Sequence, residues 1–282
     1  MEELLSILES KYSLIELQKI ATKLDKTFRL NSFWNGWLEL EQIFYNVNLN
    51  INDLKSKFLY RDIYNAIIMK YGKTERIVKY YLTKEFINND NEVCLYEFNV
   101  GNSRLDFGRI NGRSYAYEIK TELDNTNRLL DQLSDYVNVF EFINVVIHEK
   151  HLSKIKSLIP RNVGIIQYTF NENGMTFDSI RKPKENKNMK KLSQLEIMNA
   201  DDLDYIIKKI INVNQVPRFK CEKLKFVNKY FNKYQFNDVF KETIKNKQSK
   251  KWKHIKDNFD MLKPIELQDA YIYEFDIKQW NC

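Results

Sequence analysis

Asp106, Glu118 and Lys120 stand in the pattern Asp-x11-Glu-x-Lys. Two carboxylates held together bind a hard divalent cation, because Mg2+ takes oxygen ligands and keeps several of its waters. The carbonyl of Ile119, between the two, adds a third oxygen. A lysine beside metal-bound water orients that water, helps it lose a proton, or stabilises charge building on a phosphate. Such a set suits attack of water on a phosphodiester, where catalysis is largely positioning and charge neutralisation. The plainer alternatives are a turn-flanking surface acid at Asp106 and a solvated strand face for Glu118 and Lys120.

The elements that must hold these groups are legible on either side. Cys94–Val100 reads as a strand ending at Gly101-Asn102, and Ser103–Ile110 as a second strand carrying Asp106. Asn111-Gly112 predicts a type I′ hairpin with positive φ at both residues. The return strand Arg113–Lys120 alternates, so Glu118 and Lys120 share a face opposite Tyr117 and Ile119. Pairing across the turn then brings Asp106 near Glu118. Glu97, on the first strand, is a competing acid set aside as a ligand. Thr74–Phe86 reads as a helix. A second helix, capped by Asp124 or Asn125, is predicted through Phe140 with Leu129, Leu130, Leu133, Val137 and Phe140 buried. Ile143–Ile147 reads as a buried strand, His151–Leu158 as a helix, Val163–Phe170 as a strand, and Asn173-Gly174 as a turn into Met175–Ile180. The class is α/β with a partly antiparallel sheet.

Outside this region, residues 2–60 carry helical periodicity (Leu14, Leu17, Ile20, Ala21 and Leu24, then Trp34, Trp37, Leu40, Ile43 and Phe44). Arg181–Lys191 is the best linker candidate. Asp201–Val213 and Glu222–Lys245 read as helices, and Ala270–Ile277 as a strand. Three segments result: a helical accessory region at 1–69, an α/β core at 70–182, and a mainly helical basic region at 183–282.

The 282 residues carry a net charge of +7, and it is unevenly spread. Pro217–Lys256 holds thirteen Lys or Arg against three Asp or Glu, with aromatics interleaved. Basic side chains gain affinity for a polyanion by counterion release, and aromatics stack on unpaired bases. The plainer reading is a solvated basic helix face over buried rings. No apolar run is long enough to span a bilayer. Cys94, Cys221 and Cys282 lack metal or disulfide spacing and read as reduced thiols. The acidic Met1-Glu2-Glu3 lacks a signal-peptide charge pattern, so a cytoplasmic protein is expected. His148 and His151 form an HxxH pair without further ligands of that type, which favours a structural reading.

Asp106 followed by Glu118-Ile119-Lys120 resembles the PD-(D/E)XK nuclease superfamily, whose restriction-endonuclease-like core runs helix, three strands, helix, strand. That is the order read for residues 74–147. Thr74-Glu75-Arg76 opens the preceding helix, where many of these nucleases carry an acid that reaches the metal. Gln132-Leu133-Ser134-Asp135-Tyr136 resembles the QxxxY signature of exonuclease-like branches. The fuller string, with Asn127-Arg128-Leu129, is similar to a bacterial branch of largely unassigned role. Leu105 stands where the superfamily has its naming proline, a common substitution. The resemblance covers roughly residues 70–150 and leaves 1–60 and 185–282 unexplained. It implies a Mg2+-dependent deoxyribonuclease, Mn2+ substituting, with Asp106, Glu118 and the Ile119 carbonyl as ligands and Glu75 assisting. Lys120 would activate water, and Gln132, Tyr136 and Arg128 would face the substrate. Phage defence or mobile-element biology is the setting it implies, with a homodimer or a protein partner compatible. The rivals are a nuclease-like fold that binds DNA or a partner without cutting, and an RNA-cleaving, toxin-like nuclease.

Overall fold

Side-chain capping and apolar periodicity build an all-helical N-terminal region. The computed structural model, which describes residues 1–29, 33–47, 49–171 and 174–274, has α1 (Glu2–Lys11), α2 (Leu14–Thr27), α3 (Phe33–Tyr45), α4 (Ile51–Lys57) and α5 (Tyr60–Tyr71) before α6 (Glu75–Phe86). Ser13 starts α2 through a reciprocal capping box with Glu16. Then come β1 (Val93–Val100), β2 (Ser103–Asn111), β3 (Arg113–Lys120), α7 (Leu129–Val137), β4 (Phe142–His148), α8 (Leu152–Leu158), β5 (Gly164–Asn171) and β6 (Gly174–Arg181). Last are α9 (Lys191–Ile197), α10 (Ala200–Tyr205), α11 (Lys220–Tyr230), α12 (Lys233–Asn258) and α13 (Leu267–Tyr273).

The chain divides into two units, residues 1–82 with 255–282, and residues 83–254. In the first, Leu17, Ala21 and Leu24 of α2 and Tyr64, Ile67 and Ile68 of α5 are buried. Arg76 bonds Asp25 (3.2 Å), Asp269 (3.1 Å) and the Ile265 carbonyl (2.9 Å). In the second unit, six strands form one mixed sheet in the order β1-β2-β3-β4-β5-β6. β3–β4 and β4–β5 are parallel and the other pairs antiparallel. On one face Phe86 stacks on Phe107, and the Arg109 guanidinium lies 4.4 Å from the Phe86 ring centroid and 3.9 Å from that of Tyr115. α7 packs against β2, β3 and β4. Glu141, buried at the start of β4, accepts from Ser114 N–H (2.7 Å), Arg113 (2.9 Å), Asn237 (3.2 Å) and Lys241 (3.3 Å), joining β3 and α12.

Several local expectations are corrected. The linker candidate is a strap: Lys184 N–H donates to Asn162 O, Asn186 N–H to Glu141 O and Lys190 N–H to Asn138 O. The buried Asn186 amide also serves the Val137 and Phe140 carbonyls. At the β2–β3 turn only Gly112 has positive φ (69°), and Asn111 stays in the ladder opposite Arg113. The Asn111 amide instead donates to Asp90 O, 3.1 Å away. Asp124 and Asn125 do not cap α7, whose N-cap is Arg128. Asp124 accepts from Thr121 N–H and Oγ1, both at 2.7 Å, closing the turn after β3. Leu130 is exposed. The helix expected over Glu222–Lys245 is two helices, because Asn232 accepts from Tyr234 and Gln235 N–H and starts α12 afresh. The strand expected over Ala270–Ile277 is helical through Tyr273, where Leu267, Ala270 and Tyr271 bury a 3.6-residue stripe. The Trp34 side chain, Asn173 and residues 275–277 lie outside the described residues.

Burial alone would raise the Glu141 pKa, but Arg113, the Ser114 N–H and Lys241 outweigh it and hold the carboxyl below its ordinary value of 4.5. A carboxyl depressed in the folded state contributes stability that is complete above the unfolded pKa and lost as pH falls through the folded one. Urea unfolding from pH 7 to pH 3 should therefore show a steeper loss below about pH 4.5 in wild type than in Glu141→Gln.

Candidate functional site

The β2–β3 ladder runs from Asn111↔Arg113 to Phe107↔Tyr117, and the site begins where it stops. One residue further, the Asp106 carboxylate replaces the backbone partner, accepting the Ile119 N–H at 2.7 Å. A strand residue presents its N–H and C=O on one edge, so the Ile119 carbonyl emerges beside Asp106. Counting one step past the last pair of the ladder sets Glu118 level with Asp106. Glu118 is fully buried. Its Oε1 accepts from Lys120 Nζ at 2.6 Å, and its Oε2 lies 2.7 Å from the Tyr136 hydroxyl. Lys120 Nζ also donates to Gln132 Oε1 at 3.2 Å. Gln132 and Tyr136 lie one helical turn apart on α7, so one helix face meets both ends of the ion pair.

Burial by itself disfavours the Lys120 ammonium, but Glu118, with Asp106 and Asp124 behind it, outweighs that cost and raises its pKa. Burial and the adjacent Glu118 carboxylate push the Tyr136 phenol far above its ordinary range. Tyr136 is thus a neutral hydroxyl donor to Glu118 Oε2.

Asp106, Lys120, Gln132 and Arg128 line a cleft of about 530 Å3, with Asn99, Asn102, Ser103, Arg104, Asp124 and Asn125, while Glu118 and Tyr136 stay buried. Gly101 shapes one wall. Its φ is 58°, and a Cβ there would sit 2.9 Å from Asp135 Oδ1. Asp135 in turn accepts from Asn102 N–H (3.2 Å) and Ser103 Oγ (2.6 Å), fastening the β1–β2 turn to α7.

The structure thus gathers Asp106, Glu118, Ile119, Lys120, Gln132, Tyr136 and Arg128 in one unit. Glu75 opens α6 in the other unit, where it pairs with Lys79. Among the described residues no cluster of three His, Cys, Asp or Glu has metal-site geometry. Asp106, Glu118 and the Ile119 carbonyl would offer a hard cation oxygen ligands, with both Glu118 oxygens engaged here by Lys120 and Tyr136. His151 Nε2 lies 2.8 Å from the Thr121 carbonyl, a structural contact at the end of β3. The sequence reading missed Arg104, Asn99 and Ser103. The Gly101-Asn102 turn signal, lying between them in the chain, would have pointed to this wall.

Fold and site define an α/β protein with a six-stranded mixed sheet and a carboxylate–lysine cleft. Residues 71–269 match the family described as bacteriophage P4 protein cII, and the chain belongs to that family. Protein cII of Enterobacteria phage P4 is 27% identical over 100 residues, which cover 36% of this chain and 38% of that protein. The SPO1766 protein of unknown function from Silicibacter pomeroyi is 14% identical, with a TM-score of 0.31, over 49% of this chain and 91% of that one. No helix among the described residues is long and apolar enough to cross a membrane.

Removing one partner of a buried ion pair leaves the other charge uncompensated. Lys120→Met should lower unfolding free energy by about 3 kcal/mol. Adding Glu118→Gln should recover most of that loss, as measured by urea denaturation followed by circular dichroism.

Proposed function

We propose that this protein is a metal-dependent nuclease with a PD-(D/E)XK-type core, hydrolysing phosphodiester bonds in DNA with Mg2+, or Mn2+ in its place. The supporting observation is the convergence of Asp106, Glu118, Lys120, Gln132 and Tyr136, from β2, β3 and α7, through direct hydrogen bonds beside one open cleft. The element order α6, β1, β2, β3, α7, β4 and the parallel β3–β4 pairing also support it.

In this reading Asp106, Glu118 and the Ile119 carbonyl would hold the cation, which would polarise the phosphate and activate water. Tyr136 fixes the Glu118 carboxylate. Lys120, held by Gln132, meets negative charge developing at the phosphate. Arg128, on the cleft wall, takes a neighbouring phosphate. The phage member of the family supports a setting in phage or mobile-element biology.

A second reading, a DNA- or partner-binding module without cleavage, has one observation in its favour: Lys120 sits on Glu118, and no third acid completes a cluster among the described residues. Cleavage of plasmid, linear single- and double-stranded DNA and labelled RNA in Mg2+, Mn2+ and EDTA separates the readings. The nuclease predicts metal-dependent cutting of DNA that falls at least about a hundredfold in Asp106→Ala, Glu118→Ala and Lys120→Ala. Glu75→Ala in the same assay tests the acid on α6. Binding without cutting under every metal supports the module, and cutting confined to RNA makes the enzyme a ribonuclease.

A further inference from the structure

Arg104, on β2, lines the cleft through a contact that nothing in the nuclease reading explains. Its Nε lies 2.6 Å from Glu97 Oε2; the Arg104 side chain is 68% exposed, the Glu97 side chain only 12%. Glu97 has a φ of 51° inside a β-strand. That left-handed conformation is disfavoured for any residue with a Cβ. The flanking pairs Tyr96↔Phe107 and Phe98↔Leu105 keep one register across it, so the distortion is local to Glu97. Backbone strain held in place by regular structure on both sides marks functional positions.

Counting on from the flanking pairs sets Glu97 level with Asp106 and, one step past the end of the β2–β3 ladder, Asp106 level with Glu118. Each outer acid of the row holds a base two residues from the central or outer acid: Glu118 holds Lys120, and Glu97 holds Arg104, both at 2.6 Å. The Arg104 carbonyl lies 3.1 Å from the Tyr136 hydroxyl, which also meets Glu118. The Arg104 backbone thereby borders the buried centre of the site while its side chain is mostly exposed. An ordinary surface ion pair needs neither a mostly buried acid nor a left-handed backbone.

We propose that Arg104 is a phosphate-binding residue of this cleft and that Glu97 positions it. The inference rests on the nucleic-acid reading above and adds the grip on the substrate backbone. The contact to Glu97 uses Nε, which leaves the terminal nitrogens of the fork to meet two oxygens of one phosphate. Arg128, also on the cleft wall, provides a second guanidinium for the next phosphate along the strand.

The test is binding of fluorescein-labelled single- and double-stranded DNA, followed by anisotropy in EDTA and in Ca2+, with circular dichroism confirming that each variant is folded. Arg104→Ala should weaken binding about tenfold and reduce the slope of log K against log salt by about 0.9 on duplex, one phosphate contact. Arg104→Lys should keep the slope but not the affinity, because an ammonium cannot replace the fork. Glu97→Gln and Glu97→Gly, the latter free of backbone strain, should also weaken binding. Simple charge removal predicts the opposite sign, since losing an acid strengthens attraction to a polyanion. Arg104→Ala matching wild type in affinity and slope, or tighter binding by both Glu97 variants, overturns the proposal. Wild type that binds but never cuts leaves this proposal standing and removes only the cleavage claim. Wild type that binds no nucleic acid removes both.

Discussion

A fully buried carboxylate, Glu118, is the constraint on which the second unit turns. An ionised acid cannot be left unpaired in a protein interior without a cost of several kcal/mol. The chain answers with a base two residues along the same strand and a phenol from the helix above, Lys120 and Tyr136. α7 must therefore lie where its Tyr136 hydroxyl and Gln132 amide reach β3, and the turn after β3, closed by Asp124 on Thr121, delivers it there. Stability alone does not call for this arrangement. A well-packed apolar group in place of a buried ion pair is often as stable or more so. In the proposed nuclease, the pair lies beside the cleft that would take the substrate.

A second buried acid shows the contrast. Glu141 accepts from a backbone N–H, two cations and an amide, and it joins three segments of the unit. It is a structural charge at the opposite end of β3. Glu118 sits where the β2–β3 ladder ends and Asp106 takes over a backbone N–H. There Asp106 and Lys120 reach the wall of the cleft, while Glu118 and Ile119 stay buried. One strand thus carries a buried ionic joint at each end, the second beside the cleft.

Much of this was legible in the sequence because it depends on period-two alternation and short-range spacing. The faces of β3, the approach of Asp106 to Glu118, and the pairing of Gln132 with Tyr136 follow from residue counting once the strands and helix are in place. What escaped depends on long-range hydrogen bonds or on backbone conformation. Asp124 looked like a helix cap because a cap and a turn closure use the same carboxylate. Arg181–Lys191 looked like a linker because its polar residues bond to carbonyls and amides far away in the chain. The Ala270–Ile277 alternation was too short to distinguish a strand from the buried stripe that α13 forms. Glu97 carried no signal at all, since a left-handed residue inside a strand leaves the alternation around it unchanged.

Crystals soaked in Mn2+ and measured at the manganese absorption edge would show whether the carboxylates of this cleft bind a metal. One anomalous peak is expected about 2.2 Å from the Asp106 and Glu118 carboxylates and the Ile119 carbonyl, absent in Asp106→Ala. An empty cleft at saturating Mn2+, with Lys120 still seated on Glu118, would contradict it.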